Sequence, residues 1–400
     1  MAGGVLRQLT LDVEEGRVSL ERARDLASVV PPEPAPGKEL GVLIAEATGA
    51  YTDGKSRYAW AAASVAAAVS GAWIDRPTRL WPRRVASHEG SLDIRARALA
   101  LLGFIEADQG RADAAATLSR DSEALIQRMA HPTRARFVIG ATAAERALKL
   151  HRADEAIAIL RSVLRLPDLG DSERGAAQAL LATALNAADR VDEAVRAFEE
   201  TATSFRRAGL SAGALGAELE RGVLMSQSGD VGVARSLLIE VAAAAVAAGN
   251  DAVEARAQLH IGVIAGAARQ HREAAEHLTR AAGAARRGGD MAAVIVALRT
   301  AADELRHEGD FIAAERMLLE ALAVPATPAV SVDRAKAKYF LAVLRHQQGR
   351  REDADRLLNE ASADFEDKLI ELGADGSRQA REHVEGQLGT VAALREQLSH

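Results

Sequence analysis

Cysteine is absent from this 400-residue chain, and aromatic residues make up only 3% of it. The missing thiols exclude disulfide scaffolds, thiolate metal sites, iron–sulfur clusters and cysteine nucleophiles. The scarcity of aromatic residues leaves little material for β-strands. Alanine, by contrast, occupies 88 positions, which favours helix. The composition therefore predicts an all-α protein with no cofactor or metal of the thiolate type.

Strong charge and long apolar runs are also lacking. The formal net charge of −6 disfavours a generic nucleic-acid or membrane-surface binder. No uninterrupted apolar stretch approaches the roughly 20 residues that span a bilayer, and the first 15 residues contain no apolar run of signal-peptide length. We therefore expect a cytoplasmic protein that binds neither nucleic acid nor membrane. Its 44 arginines against 6 lysines are typical of a GC-rich bacterial genome.

A short pattern recurs seven times along the chain. Each copy has a turn, a polar pair and an alanine, which falls at Ala115, Ala156, Ala194, Ala234, Ala274, Ala314 and Ala354. A second small residue lies twelve positions earlier, at Gly103, Ala144, Ala182, Gly222, Gly262, Ala302 and Ala342. Six units place an apolar residue four positions after the alanine: Leu160, Phe198, Leu238, Leu278, Leu318 and Leu358. Small residues on both sides of a turn let two antiparallel helices approach closely. Each unit is therefore predicted to be a helix hairpin of about 40 residues that stacks on its neighbours.

The pattern resembles the tetratricopeptide repeat (TPR) family, in the long-period form. The likeness rests on a small residue followed by Gly-x-x-x-x-Ala, best seen at Gly103, Gly110 and Ala115 and again at Gly222, Gly229 and Ala234. It departs from the family in its period of 40 residues and its missing first-helix aromatics. The resemblance implies an α-solenoid of stacked antiparallel hairpins wound into a right-handed superhelix.

The array divides the chain into four predicted segments. Residues 1–37 form N-terminal helices and a proline-rich linker, and residues 38–95 form a degenerate hairpin followed by a long loop from Ala72 to Ser91. Residues 96–373 hold the seven repeats, and residues 374–400 form a C-terminal capping helix. Terminal repeats need a polar outer face, which favours the cap. A short dimer-forming coiled coil is the alternative, so we expect a monomer or a weak homodimer.

One segment matches the phosphate-loop pattern, with Gly49 at its start and Gly54, Lys55 and Ser56 at its end. In such a loop the backbone N–H groups cradle phosphates and the lysine contacts the β- and γ-phosphates. The same residues also fit the repeat, with Gly54 at the turn and Ala59 five positions later. Nucleotide binding is therefore a remote alternative.

The tryptophans and a cluster of arginines lie close together near the N-terminus. The stretch from Trp73 to Arg84 also contains Trp81 and Arg83. Tryptophan and arginine are enriched in interface hot spots, so this stretch is a candidate partner-binding loop. The alternative is that the tryptophans fill the core of the first hairpin.

The resemblance also implies a binding groove lined by the first helix of each repeat. Carrying the family's groove positions onto this chain gives the partner-binding candidates Arg256, Arg299, Asp303, Lys336 and Tyr339. Charge collects toward the C-terminal repeats, while the middle of the groove is small and apolar. The family's chaperone-tail clamp has an asparagine at the ninth helix position, and none of the seven repeats has one here. The last four candidates are expected to form one patch across adjacent repeats, and the alternative is that Arg299 and Lys336 are ordinary solvated surface residues.

These observations predict no catalytic residue, no cofactor and no metal site. No H-E-x-x-H pair of histidines and no G-x-S-x-G elbow occurs. The leading hypothesis is a non-enzymatic scaffold or adaptor that binds a protein or peptide segment. The alternative is a peptide-responsive regulatory sensor that acts on a separate effector protein.

Overall fold

Helices account for nearly all the regular structure of this chain. The computed structural model describes residues 2–19, 22, 26, 36–74, 84–373 and 378–399, and no strand occurs in these ranges. The all-α prediction is therefore confirmed. The chain divides into two compact units, Met1–Gly209 and Leu210–His400.

In its described residues the first unit has an N-terminal helix and four helix pairs. Its helices are α1 (Ala2–Glu14), α2 (Pro36–Thr52), α3 (Ser56–Ile74), α4 (Arg84–Asp108), α5 (Ala112–Ile126), α6 (Thr133–Lys149), α7 (Ala153–Val163), α8 (Asp171–Ala187) and α9 (Val191–Arg207). The two helices of each pair pack on one another, and the first helices of successive pairs also touch. The pairs are therefore stacked hairpins.

The second unit continues the pattern with four further pairs and a last helix. Its helices are α10 (Ser211–Ser228), α11 (Val231–Ala248), α12 (Asp251–Ala267), α13 (His271–Arg287), α14 (Met291–Glu308), α15 (Phe311–Ala323), α16 (Ser331–Gln347), α17 (Arg351–Leu372) and α18 (Arg378–Ser399). A short 3₁₀ turn, Pro328–Val330, precedes α16. The final helix packs on α17 and α16, which is where a cap belongs.

Close contact between small residues holds the two helices of a repeat together. Six of the seven phased alanines have no exposed surface, and the seventh, Ala115, is 9% exposed. At Gly262 an added Cβ would lie 2.7 Å from Cγ of Leu278 and 3.1 Å from the carbonyl oxygen of Ala274. The backbones approach so closely here that only glycine fits without a shift. The predicted packing role of the phased small residues is confirmed.

Every repeat turns through one residue in the left-handed region. Its φ lies between 57° and 104° at Gly110, His151, Asp189, Gly229, Arg269, Gly309 and Gly349. The next residue donates its N–H to a carbonyl on the preceding helix, as Gln270 does to Ala265 at 2.9 Å, in the manner of a Schellman cap. Three of the seven turns therefore adopt this conformation without glycine.

The predicted loop between Ala72 and Ser91 is wrong at both ends. Helix α3 continues to Ile74 and α4 already begins at Arg84. The proline-based prediction missed this because Pro77 and Pro82 lie between the two helices, where they interrupt neither. Residues 75–83 lie outside the described ranges.

Within the described ranges α11 is the one helix that is long and apolar enough to cross a membrane, by length and composition alone. In this fold it is the second helix of a repeat and packs between α10 and α12. Its Arg235 forms an ion pair with Glu273 of α13. The packing of the repeats accounts for its apolar inner side.

Candidate functional site

The first helices of the repeats in the second unit form one side of that stack. Helix α10 touches α12, α12 touches α14 and α14 touches α16. We call this side, made of α10, α12, α14 and α16, the first-helix face. It carries all five groove residues predicted from the sequence.

Arg256 links two of these helices. Its guanidinium lies 2.6 Å from a carboxylate oxygen of Glu220 on α10. Both side chains are exposed to a third or more, so the pair contributes little stability. Burial lowers the pKa of His260, one turn further along α12, and the charge of Arg256 adds to the effect. The predicted binding residue Arg256 therefore already has an internal partner.

Arg299 has no such partner among the described residues. Its guanidinium carbon lies 5.0 Å from the centre of the Phe340 ring on α16, a cation–π contact. Its Nε is buried without a hydrogen-bond partner, and in the described part of the chain its other nitrogens bond to no acceptor. Burial lowers the pKa of Arg299, and the carboxylates of Asp333 and Asp303 only partly oppose this. The alternative that Arg299 is an ordinary solvated surface residue is therefore wrong.

Lys336 lies beside this arginine and contacts the last helix. Its Nζ is 3.0 Å from Nε2 of His383 on α18. Burial lowers the pKa of Lys336, and Arg299 adds to that effect while Asp333 opposes it. Asp333 is half-buried, and burial raises its pKa although Lys336 and Arg299 pull it down. Two cations and one carboxylate thus share a partly desolvated region, which we call the Arg299 site and define as Arg299, Asp333, Lys336, Phe340 and His383.

The other two predicted residues contact their own helices. Asp303 accepts hydrogen bonds from Arg306 at 2.8 and 3.0 Å, so it orients that arginine and not Arg299. The Tyr339 ring meets the Phe340 ring edge to face, with centres 5.5 Å apart. Tyr339 therefore helps to fix the aromatic ring that lies under the Arg299 guanidinium.

A small apolar crevice opens between α12, α13 and α14. Its volume is about 100 Å³, and its lining is mostly alanine and glycine: Ala252, Ala255, Arg256, Leu259, Ala281, Ala285, Gly288, Asp290, Ala293 and Ala297. An apolar cavity of roughly 150 Å³ admits benzene, so this crevice suits an aliphatic side chain better than a ring. The prediction that the middle of the groove is small and apolar describes these residues.

The crevice and the Arg299 site occupy corresponding places in successive repeats. Adding the 40-residue period to Leu259, which lines the crevice, gives Arg299. The same step takes Ala293 to Asp333. One repeat thus presents an apolar hollow where the next presents charges.

Most of the candidate partner-binding loop from Trp73 to Arg84 lies outside the described residues. Trp81 and Arg83 lie outside the described residues. Trp73 lies near the end of α3 and Arg84 begins α4, but the positions of their side chains also lie outside the description.

The segment resembling a phosphate loop has a different geometry. Gly49 belongs to α2, a helix and not a strand, and Ser56 begins α3. The N–H of Asp53 bonds to the carbonyl of Gly49 at 2.9 Å, and that of Lys55 to Ala50 at 2.8 Å. These N–H groups close a helix end and so form no phosphate cradle. The nucleotide-binding alternative is contradicted by this helix–turn–helix arrangement.

A second polar network ties three first helices of the first unit together. Tyr51 of α2 donates a hydrogen bond to Asp108 of α4, which also accepts one from Nε of Arg146 on α6 at 2.7 Å. Burial raises the pKa of Tyr51. Burial would also raise the pKa of Asp108, but the bonds from Arg146 and Tyr51 outweigh it and lower that pKa. All three groups satisfy one another, so this network is structural.

The described histidines form no metal centre. Within the described ranges no group of three or more histidine or acidic side chains is placed to hold a metal ion. The rings of His271 and His307 stack with centres 5.5 Å apart. His271 also contacts Glu304 at 2.7 Å, so the pair joins α13 to α14.

No family model matches the sequence, and no curated protein matches it. Among solved structures the chain is similar to the apo form of RapI, with a TM-score of 0.57 and 11% identity over 90% of this chain and 97% of that one. It is also similar to a STAND (Signal Transduction ATPase with Numerous Domains) protein with a tetratricopeptide repeat sensor from Pyrococcus horikoshii. That likeness has a TM-score of 0.55 and 14% identity, and it covers 87% of this chain but 55% of the other. The chain has the TPR-like fold. The sequence resemblance is thereby confirmed at the level of fold.

Sequence reasoning found Arg299 and Lys336 but missed the residues that complete their site. The position of His383 depends on how α18 packs, which no repeat phase specifies. Phe340 directly follows the predicted groove residue Tyr339, and Asp333 lies three positions before Lys336, so the groove positions taken from the family missed both. The crevice is visible in the sequence only as pairs of alanines, at 252 and 255 on α12 and at 293 and 297 on α14.

Proposed function

We propose that this chain is a non-catalytic binding protein that holds a protein or peptide segment along the first-helix face of its second unit. The observation that carries the proposal is Arg299, a half-buried guanidinium with no anion bonded to it in the described residues. Burying an uncompensated charge costs stability. Groups held at such a cost concentrate at functional sites. A partner that supplies the missing acceptor would pair with this guanidinium and compensate its buried charge.

Two further features support a face that binds an extended segment. Val263 on α12 is apolar but 49% exposed, and it lies one helical turn after Leu259, which lines the crevice. The crevice next to it offers a hollow for one side chain. Peptide grooves commonly combine one apolar anchor with a few polar contacts. The face therefore has the chemistry of a peptide site.

A regulatory sensor is the second candidate, and the contact between Lys336 and His383 favours it. This contact joins the face to α18, so a ligand that bonds to Lys336 competes with the last helix. The STAND protein with the same fold is described as having a TPR sensor. For this chain the sensor hypothesis predicts faster hydrogen exchange in α18 when ligand binds. The hypothesis of a rigid scaffold predicts no change in the exchange of α18.

The test is retention of partners from a lysate of the native host by the immobilised full chain. Val263→Glu places a charge on the face, and Ile312→Glu is the matched control because Ile312 is 85% exposed on α15. Proteins or peptides that bind the face should be retained by the wild type and by Ile312→Glu and lost by Val263→Glu. Partners that are indifferent to Val263→Glu would move the binding site away from this face.

A further inference from the structure

The spacing of the crevice and the Arg299 site carries an inference about ligand chemistry. It rests on the proposed function, since it concerns what the first-helix face recognises. The two sites lie at corresponding positions of adjacent repeats, so they are separated by one helix-to-helix step along the face. That step is roughly 8–10 Å for packed helices.

The charges of the Arg299 site favour binding of an anion. Arg299 and Lys336 outnumber Asp333, and Asp303 is already bonded to Arg306. The Arg299 guanidinium lies over the Phe340 ring and bonds to no acceptor in the described residues. A carboxylate is the acceptor whose two oxygens match a guanidinium. Desolvation by the surrounding helices strengthens such a pair relative to one in water.

The lining of the crevice favours binding of an aliphatic group. Alanine and glycine line most of it, with Arg256 and Asp290 as its charged residues. Asp290 is occupied, because its carboxylate accepts the N–H of Ala293 at 3.0 Å and caps α14. A branched aliphatic side chain that enters here loses contact with water without stranding a polar group.

We propose that the first-helix face recognises a peptide in which an aliphatic residue and a carboxylate lie about three residues apart. An extended chain advances roughly 3.3 Å per residue, so about three residues cover one helix-to-helix step. The aliphatic side chain fills the crevice, and the carboxylate pairs with Arg299 and Lys336. The carboxylate belongs either to an Asp or Glu side chain or to the peptide's C-terminus.

The experiment selects ligands from two synthetic pools of random, N-acetylated decapeptides on the immobilised full chain. One pool ends in a free carboxylate and the other in an amide. Side-chain recognition enriches Asp or Glu about three positions from Val, Leu or Ile in both pools. Recognition of the terminus enriches an aliphatic residue at a fixed distance from the end, in the free-acid pool alone.

Two substitutions then separate the two contacts. Arg299→Met should weaken the best-selected decapeptide by at least about tenfold and abolish the enrichment of acidic residues, while the aliphatic preference remains. Ala293→Leu fills the crevice, so it should abolish the aliphatic preference while the enrichment of acidic residues remains. Arg316→Met and Ala244→Leu change exposed residues on α15 and α11 and should leave the affinity within about twofold.

The outcomes distinguish this inference from the proposed function. If peptides are selected and Val263→Glu abolishes their binding, but acidic residues or C-termini are not enriched, the inference fails and the proposed function stands. The inference also fails if Arg299→Met leaves the acidic preference intact. If neither pool yields a peptide above a blank support, peptide binding itself fails and the inference fails with it.

Discussion

At the scale of single residues, the left-handed turns show how strongly the stacked repeats constrain each residue. Arg269 lies at φ 60°, a conformation that costs an L-residue with a side chain roughly 1–2 kcal/mol. His151 and Asp189 have similar values, so the packing of the flanking helices imposes the turn even without glycine. The stacked core and the hydrogen bonds that close the turn, such as that from Gln270 N–H to the Ala265 carbonyl, together offset this cost.

Arg269→Gly should therefore stabilise the protein by about 1 kcal/mol, since glycine adopts positive φ freely although it loses some entropy on folding. Gly309→Ala, at φ 88° with open space around it, should destabilise by a similar amount. Urea unfolding of both variants checks the pair. A destabilising Arg269→Gly would mean that the left-handed turn is not strained at this position.

A second residue-scale prediction contrasts the buried Arg345 with the half-buried Arg299. Arg345 is 8% exposed and forms an ion pair with Glu315, whereas no anion in the described part of the chain bonds to Arg299. Arg345→Met leaves Glu315 with a 3.3 Å bond from Gln348 and a 4.0 Å contact with Arg350, so the substitution should cost about 1–3 kcal/mol. Arg299→Met removes an unmatched charge at the loss of one cation–π contact, so stability should stay unchanged or rise by about 1 kcal/mol. A loss of stability in Arg299→Met comparable to that in Arg345→Met would show that Arg299 is a structural residue.

At the scale of the helix hairpin, small residues decide how near the two helices lie. Ala274 is fully buried, and its carbonyl oxygen lies close to the position that a Cβ would take at Gly262. Ala274→Leu should therefore overpack the hairpin and lower the free energy of unfolding by about 1–3 kcal/mol. Ala267→Leu, on an exposed position of α12, should stay within about 0.5 kcal/mol. Equal effects of the two substitutions in urea unfolding would contradict the assigned repeat phase.

The sequence predicted this level of structure well because the packing is local and periodic. The alanines at a fixed period marked the buried side of each second helix, and every one of them is buried. Prediction failed where contacts arise between elements that the period does not relate. The contact between α18 and Lys336 is one such case, and the partial burial of Arg299 against Phe340 is another. A half-buried arginine and a solvated one look identical in sequence, because burial depends on the neighbouring repeat.

At the scale of the whole molecule, the response to pH sums over groups that the fold perturbs. Burial lowers the pKa values of His260 and His277 below their ordinary value of 6.5. In the opposite sense, burial raises the pKa of Glu145, and also that of Asp333, whose ordinary value is 3.8. The histidines oppose folding when they are protonated, whereas the two acids favour the folded state as they take up protons. The histidines take up protons at higher pH than the acids do, so their loss of stability comes first as the pH falls.

Stability should therefore fall as the pH drops from about 7.5 toward 5, because the unfolded chain binds protons at His260 and His277 before the folded chain does. The loss from each histidine cannot exceed about 1.4 kcal/mol per pH unit. It begins near the unfolded pKa of about 6.5 and ends below the lowered folded values. The double variant His260→Gln/His277→Gln, measured by urea unfolding across this range, should flatten the pH dependence. His151→Gln is the matched control, since His151 is exposed at a turn, and it should leave the slope unchanged. A slope that survives in the double variant would assign the acid sensitivity to other groups.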